Sequence, residues 1–182
     1  MALNATMYRF NINLSDLNRS YYDDFAVSVA LHPSETLERM AIRLVAYCLH
    51  YSTELQFTKG LSTDNEPDIW EKAYSGDIST WIELGLPDSK RLKKACSVSE
   101  KAIVYAYGSQ ALDQWWQQSH AERTRLSNLT IMRLDSDAIS RFSELIERGM
   151  SLSCMIQDDV VNLSWDDQML EIPFQELTEE NK

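Results

Sequence analysis

Asp68, directly after Pro67, and Glu83, inside the apolar run Trp81-Ile-Glu-Leu-Gly85, are the residues of this chain whose types and setting point most clearly to chemistry. Carboxylate oxygens are the ligands that a hard divalent cation prefers. An Asp after a proline also has ordinary turn chemistry, so for Asp68 both readings stand. Glu83 is harder to explain as scaffolding, because an unpaired charge in an otherwise apolar strand is costly. Upstream, Glu35 and Glu38 follow His32-Pro33-Ser34 at a helix start. There a carboxylate complements the positive end of the helix dipole whether or not it has a further task.

Other chemistries find no support. His32, His50 and His120 are scattered, with no i, i+4 pair and no cysteine pair beside them, which leaves neither a zinc site nor a Cys-His nucleophile. Five glycines give no phosphate-binding loop. Cys48, Cys96 and Cys154 are odd in number and widely spaced, and they read as reduced core thiols.

With 17 Lys and Arg against 28 Asp and Glu, the formal charge is -11, the wrong sign for loose, charge-driven attachment to DNA, RNA or anionic lipid. The start, Met1 to Arg9, lacks the layout of a signal peptide, and no apolar run approaches the roughly 18 residues of a membrane span. A cytoplasmic location without membrane attachment is expected. The length of 182 residues predicts one domain over 1–182, with a core that needs no disulfide or metal to close it.

The elements that must position the two carboxylates follow from periodicity. Thr6, Tyr8, Phe10, Ile12 and Leu14 alternate with mostly polar residues, as do Phe25, Val27, Val29 and Leu31, which predicts an N-terminal β-hairpin turning over Ser15 to Arg19. Ser34 is the expected N-cap of a helix running to about His50. Its apolar stripe is Leu37, Met40, Ala41, Leu44, Val45 and Cys48, with Glu38 on the flank and Glu35, Arg39 and Arg43 further outward.

After Leu55-Gln-Phe57, the stretch Asp64 to Lys72 reads as a turn entering a strand, and Ile78 to Leu84 as a strand whose one face carries Trp81, Glu83 and then Gly85. A basic helix over Lys90 to Ala95, an all-apolar strand over Ala102 to Tyr107, a helix from Leu112 to about Arg123 with Trp115 and Trp116 facing the core, a strand over Leu129 to Leu134 and a helix over Ser136 to Arg148 alternate from there. Leu152 to Ile156, a turn at Asp158-Asp159 and Val160 to Trp165 form an antiparallel hairpin, and Thr178 to Lys182 reads as a fraying end. Leu44, Val45, Ile103, Val104, Trp115 and Ile131 are expected to be buried. The fold class is α/β (α+β), a mixed β-sheet with flanking helices.

Four strings carry a more specific signal: His32-Pro-Ser-Glu-Thr-Leu-Glu-Arg39, Leu55-Gln-Phe-Thr-Lys-Gly-Leu61, Trp81-Ile-Glu-Leu-Gly-Leu-Pro-Asp88 and Arg91-Leu-Lys-Lys-Ala-Cys96. Through them the chain resembles the YaeQ family over essentially its whole length. That resemblance implies a core varying the PD-(D/E)XK nuclease fold, with an acidic cleft. In that superfamily an Asp and a Glu on neighbouring strands hold magnesium, which acidifies a bound water and neutralises phosphate charge.

Carried onto this sequence, the resemblance implies Asp68 and Glu83 as ligands of magnesium or manganese, with Glu35 or Glu38 in support. A superfamily lysine stands two residues after the Glu, but here that position is Gly85. Lys90, Lys93 or Lys94 on the next helix, or Lys72 on the Asp68 strand, is a candidate to supply that ammonium from elsewhere, as lysines migrate in some superfamily members. Two functions stand side by side. One is a divalent-metal-dependent, nuclease-like phosphodiesterase acting on nucleic acid or a small phosphate ester. The other is a catalytically inactive nuclease-fold module that binds a protein or small-molecule partner.

Overall fold

Period-two alternation and period-3.6 stripes resolve into ten strands and four helices in the computed structural model, which describes residues 4–59 and 65–181. The expected turn residue Asp64, the string residues Gly60 and Leu61, and Met1 and Lys182 lie outside the described residues. The architecture is mixed α+β. By their contacts the residues fall into two compact units, Met1–Tyr51 with Leu134–Phe174, and Ser52–Arg133 with Gln175–Lys182.

In the first unit, β1 (Thr6–Asp16) and β2 (Tyr21–Leu31) form the expected hairpin, in register from Thr6 opposite Leu31 to Asp16 opposite Tyr21. The turn holds because the Asp16 carboxylate accepts from Arg19 N at 3.0 Å and Arg19 Nε at 2.5 Å, while Ser20 takes a left-handed conformation (φ 54°). β1 then runs parallel to β8 (Gly149–Gln157), which pairs antiparallel with β9 (Val160–Trp165), itself antiparallel to β10 (Gln168–Glu176). Phe10, Ile12, Leu14, Leu152, Cys154, Ile156, Val161 and Leu163 are all buried. The intervening residues Asn11, Asn13, Ser151 and Ser153 are exposed, so the sheet is covered on one face only.

The helices of this unit are α1 (Leu37–Leu49) and α4 (Ser136–Leu145), which pack on each other. Two expectations for α1 are corrected. The N-cap is Thr36, not Ser34, with Thr36 Oγ1 accepting from Arg39 N at 3.2 Å. Glu35 therefore precedes the helix. The helix is also buried all round from Met40 to Leu49, and Glu35 and Arg43 lie inside rather than outward, as an ion pair of 2.8 Å.

In the second unit, β3 (Leu55–Phe57), β4 (Ile69–Lys72) and β5 (Ile78–Leu84) form an antiparallel meander, and β5, β6 (Ser99–Tyr105) and β7 (Leu129–Leu134) run parallel. Parallel neighbours need crossovers. These are α2 (Ser89–Val98) and α3 (Ser109–Arg123). The run Ala102 to Tyr105 is wholly buried, as an all-apolar strand requires. Leu92, Leu112, Trp115, Trp116 and Ile131 join Val104 in one cluster, with the indole N–H of Trp115 satisfied by the Pro87 carbonyl at 2.7 Å.

The six residues expected in the core are all buried. Several boundaries shift: α2 extends to Val98, α3 begins at Ser109, α4 ends at Leu145, β6 spans Ser99–Tyr105 and β8 begins at Gly149. The expected C-terminal hairpin gains a third strand, β10, which the sequence reading did not contain. Leu170, Ile172 and Phe174 do alternate there, but Pro173 demotes a strand pattern. In the fold its carbonyl accepts from Asp135 N at 2.8 Å.

Candidate functional site

Asp68 sits at the entrance of β4, where its backbone is already committed. Its N–H donates to Ile82 O at 3.1 Å, and its C=O accepts from Thr58 N at 3.1 Å. The Thr58 hydroxyl also donates to Pro67 O. Only 2% of the residue is exposed, and Oδ2 accepts from Leu84 N at 2.8 Å. The side chain thus ties the start of β4 to the end of β5.

Glu83 projects from β5 on the Trp81 side, as strand parity dictates. Its carboxylate accepts from Trp81 Nε1 at 3.0 Å and from the Arg91 guanidinium twice, Nε to Oε2 at 3.0 Å and Nη2 to Oε1 at 3.1 Å. Such a two-pronged contact is the geometry in which arginine binds a carboxylate most strongly. The side chains are 15% and 20% exposed, so the pair is largely shielded. Arg91 Nη2 also donates to Glu66 O at 2.6 Å, and the guanidinium lies 5.1 Å from the centre of the Trp81 ring.

Burial pushes the Glu83 carboxyl above its ordinary value. Arg91 opposes that rise, the charge of Asp68 adds to it, and the Trp81 hydrogen bond opposes it. Asp68 and Glu83 therefore feel each other, with Arg91 as the compensating charge.

Arg91, rather than one of the candidate lysines, is the basic residue that meets Glu83. The available signal was helical phase. Asp88 caps α2, its Oδ1 accepting from Arg91 N at 2.7 Å, and Leu92 and Ala95 are the buried positions. Arg91 is next to that buried face, whereas Lys90 is exposed. The other lysines are engaged elsewhere: Lys93 pairs with Glu122 at 2.8 Å, Lys94 donates to Asn65 at 2.6 Å, and Lys72 lies 3.6 Å from the centre of the Trp70 ring.

Gly85 follows β5 with φ +106°, a conformation that side-chain-bearing residues avoid. A Cβ there would meet nothing within 4 Å, so backbone conformation rather than crowding disfavours a lysine at this position.

Glu35 and Glu38 belong to the first unit and have other partners. Glu35 accepts from Arg39 Nη1 at 2.9 Å and Arg43 Nη2 at 2.8 Å, and Arg43 Nη2 also donates to Ala30 O at 2.7 Å. Glu38, exposed in the first turn of α1, accepts from Ser140 Oγ at 3.0 Å.

Magnesium requires oxygen ligands with lone pairs to give. Among the described residues no group of three or more His, Cys, Asp or Glu side chains could hold a metal ion, and both Glu83 oxygens already accept hydrogen bonds. In this arrangement Arg91 supplies the positive charge beside Glu83.

The fold and this centre define a mixed α+β protein in which an arginine from a helical crossover grips a carboxylate on the last strand of a meander. Comparison with known proteins specifies it further. The family model for the YaeQ protein matches residues 1–174, and the chain belongs to the YaeQ family. It is 41% identical over 172 residues to "Uncharacterized protein YaeQ" of Escherichia coli (strain K12), covering 94% of this chain and 95% of that one. The protein of the same name from Salmonella typhi is 43% identical over 164 residues, covering 90% and 91%. The crystal structure of YaeQ protein from Xanthomonas axonopodis pv. citri superposes with a TM-score of 0.90 at 40% identity, over 94% of this chain and 97% of that one. The YaeQ protein from Pseudomonas syringae gives 0.90 at 35% identity, over 98% of both.

Proposed function

We propose that this chain is a nuclease-fold binding module, a PD-(D/E)XK-like core whose Glu83 carboxylate is paired with a resident arginine and that recognises a protein or small-molecule partner instead of hydrolysing a phosphodiester. The observation that carries this reading is the two-pronged contact of Arg91 with Glu83. A guanidinium bound in this way competes with any divalent ion for the same oxygens. The positive φ of Gly85 adds support, since it disfavours the lysine that would orient a water.

A second reading, the magnesium- or manganese-dependent phosphodiesterase acting on nucleic acid or a small phosphate ester, has its own support. Asp68 raises the proton affinity of Glu83, and clustered carboxylates are an arrangement that a divalent cation relieves. On this reading Arg91 would have to give way to the ion.

Calorimetric titration of magnesium and manganese into the wild type and Arg91→Ala separates the two, together with hydrolysis assays on oligonucleotides and on a small phosphodiester. The binding-module reading expects no saturable metal binding and no hydrolysis by the wild type, with metal binding unmasked in Arg91→Ala. Saturable binding to the wild type that Glu83→Gln abolishes, accompanied by metal-dependent hydrolysis, would put the phosphodiesterase in its place.

A further inference from the structure

The open edge of the first unit's sheet is β2, which has β1 on one side and, among the described residues, no strand on the other. It runs 11 residues without a bulge, a proline or a lysine, three of the features that guard such edges. Which of its backbone groups face outward follows from β1. Arg9 N donates to Arg148 O and Leu17 N to Ile156 O, so the odd positions of β1 serve β8 and the even ones serve β2. The partners of those even positions are odd, with Phe10 opposite Val27 and Ile12 opposite Phe25. Asp24, Ala26, Ser28 and Ala30 therefore turn N–H and C=O toward the open edge.

Two of these groups are occupied from within the chain. Asp24 N donates to Asp23 Oδ1 at 2.8 Å, and Ala30 O accepts from Arg43 Nη2 at 2.7 Å. Their placement is self-complementary. When a second copy of β2 adds antiparallel about a twofold axis at Val27, Asp24 falls opposite the partner's Ala30, so the two occupied groups meet each other and the new ladder omits only that bond. Ala26 then exchanges both bonds with the partner's Ser28, and Ala30 N reaches the partner's Asp24 O.

The side chains agree with this axis. Phe25 and Val27 are only half-buried, whereas Phe10, Ile12 and Val29 on the same face are buried. In the twofold register Phe25 meets the partner's Val29 and Val27 meets the partner's Val27, which extends that apolar face across the edge. No carboxylate opposes another. Asp23 stands opposite the partner's Leu31, and Asp24 opposite the partner's Ala30.

We propose that the chain forms a twofold homodimer in which β2 pairs with β2 of a second copy and the two sheets become one. A second copy is favoured over a foreign strand because Asp24 N–H and Ala30 C=O, already used, cancel against each other only in the self-pairing. A foreign strand would present a free acceptor to one and a free donor to the other, and leaving such groups unpaired is costly. The interface is independent of the Arg91 centre, which lies in the other unit.

The test is sedimentation equilibrium of the full chain at physiological salt, which screens the repulsion between two chains of charge -11. A concentration-dependent monomer–dimer equilibrium is expected. Ser28→Pro removes an edge N–H without touching the ladder to β1, and it should weaken the dimer about tenfold or more because two symmetry-related hydrogen bonds are lost. A second readout leaves every backbone group in place. Val27→Cys puts the two substituted Cα atoms about 4.5 Å apart on the axis, within disulfide range, so diamide oxidation should give a covalent dimer above the wild-type background. Ala26→Cys, whose two copies lie diagonally across the ladder, should not crosslink. A monomer at every concentration, a dimer indifferent to a folded Ser28→Pro variant, or crosslinking of Ala26→Cys in place of Val27→Cys would each overturn the proposal.

Discussion

Arg91 of α2 grips both carboxylate oxygens of Glu83 on β5, at 3.0 and 3.1 Å, at the point where the family resemblance implies a metal ion. One internal cation thus links the strand to its crossover helix. This contact makes Glu83 affordable in an apolar strand, since a shielded charge is tolerated when paired and hydrogen-bonded.

Removing one partner of that pair should cost more than removing both. Arg91→Ala leaves a mostly buried carboxylate facing Asp68, and a loss of about 3 kcal/mol is expected. In the double variant Arg91→Ala, Glu83→Gln, part of that loss returns. Urea denaturation of the four proteins in a double-mutant cycle measures the coupling. Strict additivity of the two single effects would show that the guanidinium does not act on Glu83.

The pH dependence of stability follows from the raised Glu83 carboxyl. Between its ordinary 4.5 and its higher folded value, the folded protein holds this proton more tightly than the unfolded chain does. The contribution is fully present below 4.5 and is lost as pH rises through the folded value. Glu83→Gln cannot titrate, so its urea midpoint should fall less than that of the wild type as pH is raised across this window. Parallel midpoint curves for the two proteins would contradict the assignment.

Glu35 and Glu38, three residues apart, should behave differently. Glu35→Gln deprives the buried Arg43 of its charged partner, and a loss of about 3 kcal/mol is expected in thermal or chemical melts. Glu38 is exposed, and Glu38→Gln should stay within about 0.5 kcal/mol of wild type. Equal effects would mean that the burial of Glu35 is not what matters.

Strand β6 supplies the centre of the second unit's core. Ile103→Ala or Val104→Ala should each destabilise by about 1 to 4 kcal/mol, through lost burial and the cavity left behind. Wild-type melting temperatures for both would be incompatible with a strand covered on both faces.

The sequence by itself determined what local periodicity and composition can carry. The hairpin of β1 and β2, the all-apolar β6, the crossover helices α2 and α3, the buried Trp115 and Trp116, and the shared side of Trp81 and Glu83 all follow from spacings of two or 3.6. The extended β10 was hidden by Pro173, because a local rule that demotes proline does not know which strands have a neighbour to accept it. Thr36 took the cap from Ser34 because capping depends on which oxygen reaches Arg39 N, a distance that residue type does not reveal.

Only the tertiary structure decided the charges. Spacing along the chain separates Asp68, Glu83 and Arg91, and nothing local says that a basic residue eight positions beyond Glu83 folds back onto it. Burial then fixes the energetics, because a low-dielectric setting makes each of these charges dependent on a partner brought from another element. Glu35 shows the same logic: its sequence reads as a surface helix-dipole residue, and the fold makes it the buried counter-ion of Arg43.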